Sequence, residues 1–164
     1  MRFEPATRYD LQLSIIIPVK DEEQNVAALA EEISNVLYTL STFWECIWID
    51  DGSTDTTLDE FAKINRKDTC HQFISLARHY GHSAALAVGF TSARGQILMT
   101  MDGDGQNNPK DIIPLLMKYL SDENICLVGG IRKKRMDSLL KRYSSIIANN
   151  IRKYILNDYQ IYLI

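Results

Sequence analysis

The sequence predicts an α/β fold in which a mainly parallel sheet carries helices on both faces, and three features of the chain predict it. Short apolar runs rich in isoleucine alternate with longer segments whose apolar residues recur at helical spacing. The connections between successive runs are long enough for helical crossovers, which parallel strands require and which are almost always right-handed. The loops that follow the runs are dense in Asp and Gly, and in an open parallel sheet the loops after the strands form the ligand edge.

Leu13 to Val19 is the first strand, an isoleucine-rich run that reads as buried on both faces. Asp21 is expected to cap the helix that follows, with Gln24 as its capping-box partner and Val26, Leu29, Ile33, Val36, Leu37 and Leu40 along the apolar stripe. Trp44 to Asp50 is a second strand, Thr54 to Asn65 a helix with Asp55 as a cap, and His71 to Ala77 a third strand. Ser83 to Ala93 reads as an alanine-rich helix and Gln96 to Met101 as a fourth strand. Asn108 caps a helix from Pro109 to Leu120, with proline at its first position. Ile125 to Val128 is expected as a fifth strand, and Asp137 to Leu156 as a last helix.

The 164 residues fit one domain on a prior of roughly 100 to 200 residues per domain. With 46% hydrophobic and 24% charged residues, the composition is globular rather than disordered or disulfide-scaffolded. A net charge of -3 gives no global attraction to nucleic acid, so no nucleic-acid partner is expected. Cys46, Cys70 and Cys126 are scattered and form no C-x-x-C pair, which suggests reduced thiols in a cytoplasmic protein. No secretory signal is expected at Met1 to Leu11. The uncharged stretch Gly81 to Ala93 is shorter than the roughly 20 apolar residues of a membrane span.

Chemistry concentrates in three acidic loops. Lys20, Asp21, Glu22 and Glu23 follow the first strand; Asp50, Asp51, Gly52, Ser53, Thr54 and Asp55 close the second; Asp102, Gly103, Asp104, Gly105, Gln106, Asn107 and Asn108 follow the fourth. Crowded on one edge they should repel, and a divalent cation or a polyhydroxylated ligand would relieve them. Asp102 and Asp104, one glycine apart in a turn, can aim two carboxylates at one Mg2+ or Mn2+ ion shared with a diphosphate. The competing reading makes them turn formers only. An EF-hand starting at Asp102 fails, because Asn107 and Ile113 stand where Gly and Glu are needed. Neither G-x-G-x-x-G nor G-x-x-x-x-G-K-[ST] occurs. A haloacid-dehalogenase-like phosphatase, with Asp102 as phosphorylated nucleophile, is the distant alternative. That superfamily expects its motif on the first strand and Thr or Val where this chain has Gln106.

Four ordered motifs carry a resemblance: Ile15 to Glu22 (IIIPVKDE), Ile49 to Asp55 (IDDGSTD), Met101 to Pro109 (MDGDGQNNP) and Gly129 to Arg132 (GGIR). Together they resemble glycosyltransferase family 2 with a Rossmann-like GT-A fold. The D-G-D-G-Q form and the stretch Arg132 to Ser138 are most similar to its polyprenyl-phosphate, dolichol-phosphate mannose synthase-like branch. The resemblance covers about Leu13 to Lys153. It implies a domain plan of an N-terminal extension (1–12), a GT-A donor-binding domain (13–156) and a divergent tail (157–164).

By position, the resemblance implies that Pro18, Asp21 and Glu22 border the nucleotide, and that Asp51 holds the base or ribose with Asp50 beside it. Asp102 and Asp104 would hold the metal, Gln106 would face the sugar or acceptor, and Arg132 and Arg142 would contact phosphate. Lys20 stands where the family commonly has Tyr and Asp21 where it has Asn, so the nucleotide's identity stays open. The implied reaction moves a sugar from a nucleoside-diphosphate sugar to an acceptor, with a lipid phosphate as the expected one. Charge gathers on the leaving diphosphate, and a metal and an arginine neutralise it. A hydroxyl acceptor would need a carboxylate base, whereas a phosphate monoester, with a second pKa of about 6, is already anionic.

Arg132, Lys133, Lys134, Arg135, Lys141, Arg142, Arg152 and Lys153 put eight of the 18 basic residues in the C-terminal tail between 132 and 153. They read either as a solvated helix face or as a peripheral contact with an anionic membrane at its inner face. His79 and His82 have no Cys or third His beside them, and so suggest a supporting loop role rather than a metal site. Trp44 and Trp48 read as core. The family pattern continues into an acceptor half whose motif is absent here, so the resemblance implies a GT-A fold incomplete at the C-terminus. It also admits a catalytically impaired nucleotide-sugar-binding fragment as the alternative function.

Overall fold

The computed structural model describes residues 12–130. The chain divides after Asp111 into two compact units. In the first, β1 (Gln12–Val19), β2 (Phe43–Asp50), β3 (His71–Ser75) and β4 (Ile97–Thr100) form one sheet in the order β3-β2-β1-β4, with every pairing parallel. α1 (Val26–Leu37), α2 (Thr57–Lys67) and α3 (His82–Ser92) make the crossovers. The expected alternation is therefore present, and the carboxyl ends of the four strands share one edge.

β1 is central, and its burial follows: Leu13 to Ile17 are at most 1% exposed. Alternate side chains serve opposite faces. Ile16 joins Ile47, Ile49 and Ala85 on the α3 side, where α3 comes so close that a Cβ on Gly89 would lie 2.3 Å from Ile16 Cγ2. On the other face Trp48, level with Ile17, meets Phe61 of α2 at 5.4 Å between ring centroids. α1 turns Val26, Leu29, Ala30, Ile33 and Leu37 inward, close to the predicted stripe. Trp48 is core, as expected, and donates from Nε1 to Nδ1 of buried His71 at 3.0 Å. Helices thus cover both faces.

The second unit begins with α4 (Ile112–Tyr119), preceded by a 3-10 turn at Pro109–Asp111. Asn108 caps that turn as predicted, its Oδ1 accepting the Lys110 N–H at 3.0 Å. The expected fifth strand does not form: residues 125–128 lie outside any ladder, and only Gly129 sits in an isolated bridge. An apolar run becomes a strand when a neighbour pairs with it and both faces are covered, whereas Leu127 is 65% exposed. The predicted last helix, residues 1–11 of the N-terminal extension and the basic stretch 132–153 lie outside the described residues, while Gln12 opens β1. Among the described residues no helix is long and apolar enough to cross a membrane.

Candidate functional site at the carboxyl edge of the sheet

β1 and β2 end level, with Val19 paired to Asp50, so the loops after them run side by side and clasp. Asp21 does not cap α1. It sits in the left-handed region at φ 55, and its carboxylate accepts the Thr54 N–H at 2.7 Å and the Thr54 hydroxyl at 3.2 Å. Its own N–H donates to Ser53 Oγ at 2.8 Å. The cap fails because α1 starts only at Val26, after a turn in which the Glu22 carbonyl accepts the N–H groups of Asn25 and Val26. Pairing with Lys20, together with the Thr54 N–H, holds the Asp21 pKa down at about 2.

The clasp continues residue by residue. The Glu22 N–H donates to Thr57 Oγ1 at 3.0 Å while its carboxylate accepts Asn25 Nδ2 at 2.6 Å. Glu23 accepts the Thr56 N–H at 2.9 Å and hydroxyl at 2.6 Å, and its N–H reaches Asp55 at 3.2 Å. Asp55, expected as the cap of α2, lies one residue before the N-cap position, Thr56, and accepts the Thr57 N–H at 3.0 Å and hydroxyl at 2.6 Å where the helix starts. The hydroxyl run Ser53 to Thr57 is what the sequence reading missed. Its signal was present, since serine and threonine next to carboxylates are the donors such a loop needs.

Asp50 and Asp51 are both buried and face different partners. Asp50 accepts the Ser53 N–H at 3.0 Å and the Ser75 hydroxyl at 2.9 Å. Asp51 accepts the N–H of Tyr80 at 2.7 Å and of Gly81 at 2.9 Å, and His79 Nδ1 lies 2.7 Å away. Burial alone would raise the Asp51 pKa, but these N–H donors and His79 outweigh it and hold the carboxyl below its usual range. Asp51 therefore ties the loop after β3 to the loop after β2. Gly52, at φ 73, permits that contact, because a Cβ there would lie 2.6 Å from the Arg78 carbonyl carbon.

The third acidic loop lies against the end of β1. A Cβ on Gly103 would come within 2.3 Å of Val19 Cγ1 and 3.2 Å of the Pro18 carbonyl oxygen. Asp102 and Asp104 flank this contact, both partly buried. Asn107 Nδ2 stands 3.4 Å from Asp102, and the N–H of exposed Gln106 donates to Asp104 at 3.0 Å. The three acidic loops do meet on one edge. The expected repulsion between the first two, which Asp21 still exerts on Asp55, is outweighed because their carboxylates are matched by backbone N–H and hydroxyl donors. An open cleft of about 580 Å³ lies between α1 and Gly105 to Lys110, and no predicted site residue lines it. Arg132 and Arg142 lie outside the described residues.

Over 141 residues the chain is 40% identical to dodecaprenyl-phosphate galacturonate synthase of Rhizobium johnstonii, covering 85% of this chain and 41% of that protein. Undecaprenyl-phosphate 4-deoxy-4-formamido-L-arabinose transferase of Salmonella choleraesuis is 35% identical over 139 residues, 84% of this chain and 42% of its own length. The chain thus spans about two fifths of the length of these curated relatives. Glucosyl-3-phosphoglycerate synthase of Mycobacterium tuberculosis, solved with Mn2+ and uridine-diphosphate-glucose, matches with a TM-score of 0.68 at 20% identity. That match covers 88% of this chain and 49% of that one. The glycosyl transferase family 2 pattern matches residues 14–163, and with the parallel sheet of GT-A type described above the chain belongs to that family.

Proposed function

We propose that the carboxyl edge of this sheet binds the nucleoside-diphosphate-sugar donor of a metal-dependent glycosyltransferase, and that the acceptor is a polyprenyl phosphate. The observation that supports it is the seating of the Asp102–Asp104 turn against the end of β1, beside the clasped acidic loops. The dodecaprenyl-phosphate and undecaprenyl-phosphate for which the two relatives are named support the lipid-phosphate acceptor. Among the described residues no group of three or more His, Cys, Asp or Glu side chains could hold a metal. Two carboxylates nevertheless suit Mg2+ or Mn2+, which take one or two protein carboxylates and complete their shell with phosphate and water oxygens. In this reading Asp102 and Asp104 hold the ion, which when bound would neutralise charge on the leaving diphosphate.

The chain's own groups do the rest. Pro18, Asp21 and Glu22 border the nucleotide, and Asp51, which also ties the loops after β2 and β3 together, holds the base or ribose with Asp50 beside it. Gln106 faces the sugar or acceptor, and Arg132 and Arg142 supply positive charge to phosphate. An anionic lipid phosphate attacks without a protein base. The test is calorimetric titration of uridine and guanosine diphosphates with and without Mn2+ into wild type, Asp102→Asn and Asp104→Asn. Wild type should bind only with the cation. Either variant should weaken binding by about 100-fold, at the far end of the roughly 10–100-fold that disturbing a metal ligand's surroundings costs. Equal affinity in chelator, or in both variants, would overturn the metal assignment.

A further inference from the structure

We propose that Tyr80, backed by Arg78, is the stacking platform for the donor's nucleobase, an inference that rests on the donor-binding reading above. The topology places it. With the diphosphate at the loop after β4, the order β3-β2-β1-β4 puts the loops after β2 and β3 two to three strand spacings away along the edge, roughly 10–14 Å. A nucleoside lying along that edge therefore ends over the β2 and β3 loops.

At that position the chain presents an aromatic ring that is 54% exposed. Isolated exposed aromatics are common and need no explanation. Tyr80 differs in how it is mounted: its N–H is held by buried Asp51 at 2.7 Å, the Gly81 N–H by the same carboxylate at 2.9 Å, and His79 Nδ1 lies 2.7 Å from it. Gly52 closes the loop from behind, leaving no room for a side chain between it and Arg78. A buried charge with three partners is thus spent on fixing the backbone of an exposed ring. The Arg78 guanidinium lies 5.0 Å from the ring centroid, a cation–π contact that steadies the ring and adds positive charge. Beside it, Gly81 at φ 97 has no atom of any residue beyond its chain neighbours within 4 Å of where a Cβ would be, so no other part of the protein fills that side of the loop. A fixed π-face with an open approach takes any base without reading its edge, and discrimination among bases falls to the polar groups around it.

The experiment compares binding of uridine diphosphate and of inorganic pyrophosphate, both with Mn2+, to wild type, Tyr80→Phe, Tyr80→Ala and Arg78→Ala. Tyr80→Phe should bind the nucleotide within about twofold of wild type. Tyr80→Ala should lose about tenfold, within the range that removing one base–aromatic stack costs, and Arg78→Ala should lose less. Pyrophosphate affinity should be the same in wild type and both Tyr80 variants, because the ring touches only the base. Nucleotide affinity unchanged in Tyr80→Ala, or an equal loss for nucleotide and pyrophosphate, would overturn the platform and leave the donor site standing. Wild type that binds pyrophosphate but gains nothing from the nucleoside would also overturn it. Wild type that binds neither would overturn the donor-site reading itself.

Discussion

Asp51 is a buried carboxylate that accepts from two backbone N–H groups and lies 2.7 Å from one imidazole nitrogen. Charged hydrogen bonds of this kind are strong, and leaving such donors unmatched in a buried place costs more than the bonds are worth on average. Asp51→Asn keeps the shape but loses the charge and turns an NH2 group toward a donor. We expect it to lower unfolding free energy by about 2–4 kcal/mol, read from urea midpoints at neutral pH. A midpoint equal to wild type would show that the two loops hold together without the charge. The neighbouring Asp50 was legible as a site residue to the same degree as Asp51. Nothing in the D-D-G-S-T string says which carboxylate faces which loop, because that depends on where β3 returns.

At the scale of elements, packing between α3 and β1 decides how the helix sits. Gly89 in α3 leaves no space for even a methyl group beside buried Ile16. On an isolated helix Gly→Ala would gain about 1 kcal/mol. Here the added carbon meets a β-branched side chain in a close-packed core, and overpacking of this sort costs about 1–3 kcal/mol. Gly89→Ala should therefore be net destabilising, and a higher urea midpoint than wild type would refute the close approach. The strands were readable because their periodicity is an intrinsic property of each run, and β1 to β4 fall within two residues of their expected bounds. Helix starts were less readable. Asp21 has the composition of a cap, but the N–H and hydroxyl of Thr54, distant in sequence, take its carboxylate, and its own N–H goes to Ser53 Oγ. The fifth strand failed for a related reason, since pairing is a property of two segments and the sequence of one does not contain it.

At the scale of the whole molecule, two sets of titratable groups among the described residues act on stability below neutral pH. His71 is 2% exposed and its Nδ1 accepts from Trp48, so the ring must be neutral and protonated at Nε2, where Ser34 Oγ lies 2.9 Å away. Burial pushes its pKa below the usual 6.5, only partly opposed by Asp68. An unfolded chain therefore takes up a proton near pH 6.5 that the folded chain refuses. Stability is full above that pH and falls as the pH drops toward the lowered folded value. Asp51, Asp55, Asp68 and Glu45 behave as the second set. Burial would raise each, but their hydrogen bonds and ion pairs outweigh it, so their contribution is present above about pH 4 and lost as pH falls through their lowered folded values. The expected profile of unfolding free energy against pH has two stages. The first, from about pH 6.5 downward, has a slope of at most about 1.4 kcal/mol per pH unit for one proton, and a steeper one follows below about pH 4. His71→Gln, which keeps an acceptor for Trp48 and a donor for Ser34, should remove the first stage and leave the second. Urea titrations of both proteins at closely spaced pH would decide, and a variant whose first stage matches wild type would move that proton away from His71.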